Sequence, residues 1–217
     1  MDGDGRLDIL GGDKLWWWEN DGEENFSQRS IDDSFRGETS VQAIDLDADG
    51  DLDVVAASNR GHVGWWENAG DMTFTAHLLR DTPSSTTGPG SAALAADLDG
   101  DGDLDVVGAF SLHDDLSWWE NNGDGAWTRH VVASAISSPQ RLHAADVDGD
   151  GDLDLLVIGG AVVWYENDGW ANFLRRTIDG AGAAGAAAVD FDRDGDVDLI
   201  TTRWFPANLR WWENAGE

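Results

Sequence analysis

Short apolar runs alternate along the whole chain with clusters of Gly, Asp, Asn and Ser, and the same order of runs keeps returning. One copy shows the unit. Ser40 to Leu46 is an apolar run, Leu52 to Ala57 (LDVVAA) a β-branched one, His62 to Glu67 an aromatic one and Thr73 to Leu79 a fourth. Asn68-Ala69-Gly70-Asp71 between the last two is turn chemistry. Runs this short, rich in Val, Thr and aromatics and bounded by turn residues, predict strands. No segment sustains a helical period. The Ala-rich stretch Ala181 to Val189 has helix propensity, but its glycines and its alignment with the first run of other copies place it as a strand.

Two anchors mark the repeat. The first is D-x-D-x-D-G-x-x-D. It reads Asp45, Asp47, Asp49, Gly50, Asp53; then Asp97, Asp99, Asp101, Gly102, Asp105. It returns as Asp146, Asp148, Asp150, Gly151, Asp154 and as Asp190, Asp192, Asp194, Gly195, Asp198. A truncated copy, Asp2, Asp4, Gly5, Asp8, lacks the first Asp. The second anchor is an aromatic pair followed by Glu-Asn: Trp17-Trp18-Glu19-Asn20, Trp65-Trp66-Glu67-Asn68, Trp118-Trp119-Glu120-Asn121, Trp164-Tyr165-Glu166-Asn167 and Trp211-Trp212-Glu213-Asn214. The last Asp of successive motifs recurs at intervals of 45, 52, 49 and 44 residues.

Four short strands in a unit of this length predict a propeller blade. The expected fold is all-β: one propeller-type array over residues 1–217, with repeats at about 1–39, 40–90, 91–138, 139–184 and 185–217. First strands end in small residues (Ala95-Ala96, Ala144-Ala145), which suits crowding round an axis. The first repeat lacks its first strand and the fifth its fourth, so the count is about 18 strands. Two readings stay open: a five-bladed ring with two incomplete blades, or part of a larger propeller.

Composition narrows the partners. Forty-three acids against 13 bases give a formal charge of −30, which repels nucleic acid and anionic membrane. Thirteen Trp argue for a packed core, and with no Cys no disulfide helps hold it. No apolar run is long enough for a membrane helix, so membrane insertion is not expected. The first residues, Met1-Asp2-Gly3-Asp4-Gly5, are not a signal peptide.

The acidic motif predicts a metal loop. Asp at positions 1, 3 and 5 surrounds one point, and Gly at position 6 allows the sharp turn. Position 7 (Asp51, Asp103, Asp152, Asp196) would offer its carbonyl, and Asp at position 9 closes the shell. Oxygen ligands in a flexible loop favour Ca²⁺ over transition metals and over Mg²⁺. Four to five ions are expected, the fifth depending on Asp2, Asp4 and Asp8. An EF-hand would need Glu at position 12, where Ala56, Gly108, Val157 and Thr201 stand. Calcium loops of weak, extracellular type fill outside cells, so an extracellular or cell-surface location is expected, with any targeting segment outside this chain.

On the four full acidic motifs and the LDVV, LDVV, LDLL and VDLI runs beginning at Leu52, Leu104, Leu153 and Val197, the chain resembles the FG-GAP/VCBS repeat family. That family includes integrin α-subunit heads and many bacterial surface proteins. The resemblance covers essentially the whole chain. It implies that each loop joins the first two strands of a blade, with Asp45, Asp47, Asp49, Asp53 and their matched positions on Ca²⁺. The Phe-Gly and Gly-Ala-Pro elements are absent, Gly108-Ala109-Phe110 coming nearest, so the likeness is to the bacterial branch.

Adjacent Trp residues in a strand point to opposite faces, and in a blade both faces meet neighbours. The first Trp of each pair is expected in the core, and Tyr165 suggests a partly wet second position. The repeated Glu-Asn is expected to shape a hairpin. The five His fall at unrelated repeat positions. Trp204 and Phe205 break the repeat and are the candidate ligand-binding residues. Because every chemical motif repeats, a non-enzymatic binding or adhesion module is expected, with an extracellular protein or glycan as partner. The alternatives are a lectin-like propeller or an accessory domain of a larger polysaccharide-processing enzyme. Oligomeric state is left open.

Overall fold

A computed structural model describes residues 1–80, 91–203 and 206–214. These residues form five antiparallel sheets and no helix. The first holds β1 (Ile9–Gly11), β2 (Lys14–Asn20) and β3 (Phe26–Arg36). The second holds β4 (Glu38–Ile44), β5 (Asp53–Ser58), β6 (Val63–Asn68) and β7 (Phe74–Arg80). The third holds β8 (Ser91–Ala96), β9 (Asp105–Phe110), β10 (Asp115–Asn121) and β11 (Trp127–Ser134). The fourth holds β12 (Arg141–Ala145), β13 (Asp154–Ile158), β14 (Val162–Asn167) and β15 (Phe173–Asp179). The last holds β16 (Gly185–Val189), β17 (Asp198–Arg203) and β18 (Asn208–Trp212). Each sheet is a meander in chain order. The described residues thus carry 18 strands, and the first and last sheets have three each, as the repeat pattern predicts. The Ala-rich stretch is strand β16: Ala186 and Ala188 pack into the core beside Leu199, and that packing overrides their helix propensity.

The core is not one mass but four layers, each between neighbouring sheets. In β5, Val54 and Ala56 pack with Leu15, Phe35 and Trp66 against the first sheet. Val55 and Ala57, on the other face, pack with Trp65, Ala93, Val106 and Trp119 against the third. The two-residue period of a strand therefore sends alternate side chains into two different layers. That is why β5, β9 and β13 are buried along their whole length and read as continuous apolar runs. It is also why both Trp of the pair are buried in the second and third sheets: Trp65 is 6% exposed and Trp66 1%. Tyr165 is 2% exposed, so the second position is as dry as the first, contrary to the wet site its hydroxyl suggested.

First strands stand side by side, β4 against β8 and β8 against β12. Their small side chains allow polar stitching between sheets. Thr39 Oγ1 donates to the Ser91 carbonyl, Ser40 Oγ donates to the Ala93 carbonyl at 2.9 Å, and the Ala95 N–H donates to Gln42 Oε1 at 2.9 Å. Third strands bulge against fourth strands at one recurring place, after Val63, Leu116 and Val162.

Glu38, at the head of β4, is out of keeping with this interior. Its Oε2 is buried with no hydrogen-bond partner, and burial pushes its carboxyl up to about 7. A folded-state value above the unfolded one of 4.5 means the native state holds the extra proton between those limits. Its contribution is therefore best below pH 4.5 and is lost as pH rises through about 7. Glu38→Gln removes the charge and should stabilise the protein at pH 8, where Glu38 is ionised, and much less at pH 5, where it is largely neutral. Melting curves at the two pH values check this.

Candidate metal centres

Each of the four full acidic motifs lies in the turn between the first and second strands of its sheet, and the truncated first motif precedes β1. Asp and Asn side chains compete with the backbone for hydrogen bonds, and here they win at every other residue. In the second repeat the Asp49 N–H donates to Asp47 Oδ1, the Gly50 N–H to Asp45 Oδ2 at 3.1 Å and the Asp51 N–H to Asp49 Oδ1 at 2.9 Å. The third repeat repeats these bonds on Asp99, Asp97 and Asp101. The turn requires left-handed backbone at position 6, where φ is +100° at Gly50 and +98° at Gly102. Position 4 is left-handed too. Gly100 and Gly149 suit it, while Ala48 (φ 60°) and Arg193 (φ 67°) hold it under strain.

These turns gather carboxylates. Oxygens of Asp45, Asp47 and Asp53 lie within 4.8 Å of one another, as do those of Asp146, Asp148 and Asp154. Asp97, Asp99 and Asp101 form a third such group, and Asp190, Asp192 and Asp194 a fourth. Asp49, Asp105, Asp150 and Asp198, at complementary positions of the same loops, fall outside these groups. The Asp45 and Asp148 Oδ1 atoms are buried with no hydrogen-bond partner. An orphaned buried anionic oxygen in an all-oxygen cluster fits a hard cation. The residues present therefore suit Ca²⁺, which would offset part of each loop's charge. Burial first, and neighbouring carboxylates with it, push Asp47 and Asp148 above the ordinary range. Asp99 and Asp192 are raised in the same way.

The first loop is different. Asp4 pairs with Arg6 at 2.9 Å, and Asp8 with the Met1 ammonium at 2.7 Å. Among the described residues Asp2, Asp4 and Asp8 form no common cluster. The side chains of Asp51, Asp103 and Asp152 lie against the glycines of the next turn. A Cβ on Gly70, Gly123 or Gly169 would come within 2.6 Å of the facing carboxylate. Trp204 and Phe205 lie outside the described residues.

Position 9 has a second role that the spacing alone did not reveal. Asp53 is fully buried. Its Oδ2 accepts from the Leu46 N–H at 2.9 Å and its Oδ1 from the Asn68 N–H at 2.8 Å. The same tie to the repeated Asn occurs at Asp8–Asn20, Asp105–Asn121, Asp154–Asn167 and Asp198–Asn214. The Asn amide returns a bond to the carbonyl before the Asp, as from Asn68 to Leu52. Asn167 and Asn214 also reach the preceding repeat, at the Leu98 and Val147 carbonyls. The two sequence anchors are thus one device, binding acidic loop to aromatic strand and sheet to sheet. Burial raises Asp53, Asp154 and, to about 7, Asp105; the Asn214 N–H instead holds Asp198 below the ordinary range.

The repeated Glu pairs across to the fourth strand. Glu67 meets His77 at 2.8 Å, Glu120 meets His130 at 2.7 Å, Glu19 meets Arg29 at 2.7 Å, and Glu166 meets Arg176. His77 and His130 therefore occupy the same repeat position, which corrects the expectation that the His are scattered. Each stacks on the first Trp of its repeat, Trp65 at 4.4 Å and Trp118 at 4.7 Å between centroids. Between neighbouring sheets these side chains wall a recurring cleft. One holds Asp2, Trp17, Glu19 and Met72; the next Asp47, Trp65, Glu67 and Trp127; the third Asp99, Trp118, Glu120 and Trp170.

Repeated antiparallel sheets that carry acidic turns and pack face to face define a β-propeller-like repeat protein. Residues 1–56, 45–108 and 97–157 each match the model of the FG-GAP-like repeat, and the chain belongs to that family. No curated protein matches its sequence. Among solved structures it is similar to a lectin of Agrocybe aegerita, described as recognising non-reducing terminal N-acetylglucosamine. The TM-score is 0.63 at 20% identity, over 92% of this chain and 58% of the lectin. The chain thus spans 58% of that protein's length, and the likeness concerns the fold. A second similar structure is the Tc holotoxin pore of Photorhabdus luminescens, at TM-score 0.43 and 17% identity, over 98% of this chain and 13% of that one.

Proposed function

We propose that the protein is a calcium-held, non-enzymatic binding module of propeller type, working outside the cell or at its surface. The observation that carries this reading is the recurrence of an all-oxygen carboxylate cluster at the same turn of four repeats, with orphaned anionic oxygens in two of them. Ca²⁺ in this reading is structural. It offsets part of the loop charge in a chain of charge −30 and leaves the surfaces between the loops for recognition. Catalysis is not part of it, because the repeated acids are committed to backbone bonds and cross-strand pairs.

The five sheets are read as blades of a larger or closed ring. The terminal sheets support this. Ile9 is 52% exposed where Val54, Val106 and Leu155 are fully buried at the matching position. Leu209 is 70% exposed and Trp211 44%, where Val63 and Trp65 are buried. These faces are built to be covered by a neighbouring blade.

A glycan ligand is favoured among partners by the fold shared with a sugar-binding lectin, and by the aromatic and carboxylate lining of the clefts. The acidic surface argues against nucleic acid and anionic membrane; among the described residues no helix is long and apolar enough to cross a membrane.

Calorimetric titration of chelator-stripped protein tests the metal reading. Saturable heat with Ca²⁺, and weaker binding of Mg²⁺, is the expected result, since Mg²⁺ demands a stricter octahedron. Equal binding of both ions, or no heat from either, overturns it.

A further inference from the structure

The cleft between the third and fourth sheets departs from the repeat in one respect. The turn position that holds Glu23, Asp71 and Asp124 elsewhere holds Trp170 here. Its side chain is 81% exposed and lines a cleft of about 520 Å³. That volume falls in the roughly 300–1,000 Å³ range of small-ligand sites. A large aromatic left in water beside converging polar groups is informative in a way that a scattered exposed Leu is not.

Acceptors predominate among the polar groups of the cleft. Glu120 is held by His130 at 2.7 Å, and Asp99 lines the same cleft. The Asn172 amide nitrogen donates to both carboxylate oxygens of Asp168, at 3.2 and 3.1 Å, which leaves its carbonyl oxygen as an acceptor. A matching ligand must offer several hydroxyl donors on one side and an apolar face on the other. A pyranose ring does both: its equatorial hydroxyls donate, and its C–H face lies on an indole. Two carboxylates and a charge of −30 disfavour sialic and uronic acids.

We propose that this cleft binds a neutral pyranose, with Trp170 as stacking platform and Glu120 and Asp99 as hydroxyl acceptors. This rests on the binding-module reading and names its ligand class and site. The other two clefts lack the exposed Trp at this position, so one such site is expected among the described clefts.

The test uses the whole protein in millimolar Ca²⁺. It is applied to immobilised neutral hexosides and N-acetylhexosaminides beside sialylated and uronate-bearing glycans, with tetramethylammonium as a soluble cationic competitor. Neutral glycans should be retained and the acidic ones not. Trp170→Ala should weaken retention roughly thirtyfold, the scale of a lost aromatic anchor, with an unchanged melting midpoint because the ring is exposed. Glu120→Gln should weaken it about tenfold. Silence toward every neutral glycan, retention by Trp170→Ala equal to the parent, a preference for acidic glycans or displacement by tetramethylammonium each overturns the proposal. Saturable Ca²⁺ heat with a silent glycan panel sinks the sugar site alone. Glycan retention without Ca²⁺ binding sinks the metal reading alone.

Discussion

Millimolar Ca²⁺ added to the chelator-stripped protein should raise its melting midpoint by roughly 1–6 °C for each loop that fills. For weak sites of about 10⁻⁴–10⁻³ M, millimolar ion is roughly one to ten times the dissociation constant and stabilises the native state by about 0.4–1.4 kcal/mol per site, and a protein of this size gains about 2–4 °C per kcal/mol. The effect is large because the loops oppose folding when bare. Asp47, Asp99, Asp148 and Asp192 are each raised by burial and by the charge of neighbouring carboxylates. Buried Asp105, at about 7 against 3.8 unfolded, shows the sign. Between those values the native state binds more protons than the unfolded one, so metal-free stability falls as pH rises. The Ca²⁺-induced shift should consequently be larger at pH 8 than at pH 5. A midpoint indifferent to chelator at both pH values would contradict this.

Asp154→Ala should cost about 3–5 kcal/mol and most of that cost should persist in chelator. Asp154 is fully buried and accepts from the Val147 N–H at 2.9 Å and the Asn167 N–H at 2.8 Å. Truncation leaves two buried donors without partners, each worth about 1–3 kcal/mol, and loosens the Asn167 amide that ties Leu153 to Leu98 of the preceding repeat. The midpoint should fall by roughly 6–20 °C. Asp148→Ala is the contrast. Asp148 belongs to the carboxylate cluster of the same loop, and its Oδ1 is buried with no hydrogen-bond partner. Its cost should appear with Ca²⁺ and nearly vanish without it. Chemical denaturation of both variants, with and without Ca²⁺, separates the structural tie from the metal ligand. Equal behaviour of the two would mean that position 9 has no role of its own.

The strand order was legible because each strand is bounded by residues that turns favour, and because strands buried on both faces read as unbroken apolar runs such as Leu155 to Ile158. The acidic turns were legible for the same reason: Gly at position 6 and alternating Asp have one common backbone solution. What escaped were contacts between elements distant in sequence. Nothing in Trp-Trp-Glu-Asn by itself says that the Asn68 N–H caps a buried carboxylate of the preceding turn. The matched positions of His77 and His130, ten residues after Glu67 and Glu120, were visible but were masked by Arg29 and Arg176 at the same place. Tyr165 was misread because its hydroxyl suggested water, whereas its ring lies in the layer shared with the third sheet. Trp170 drew no notice as a single exposed aromatic in a turn. Only the cleft beside it gives it meaning.

The most direct measurement is the number of Ca²⁺ ions bound per chain at equilibrium with millimolar Ca²⁺, read by elemental analysis as the excess over the dialysate, for the parent and for Asp97→Ala. The account predicts four to five ions in the parent and one fewer in the variant, because Asp97 belongs to one cluster alone. A parent that retains no Ca²⁺, or a variant that retains as much as the parent, would contradict it.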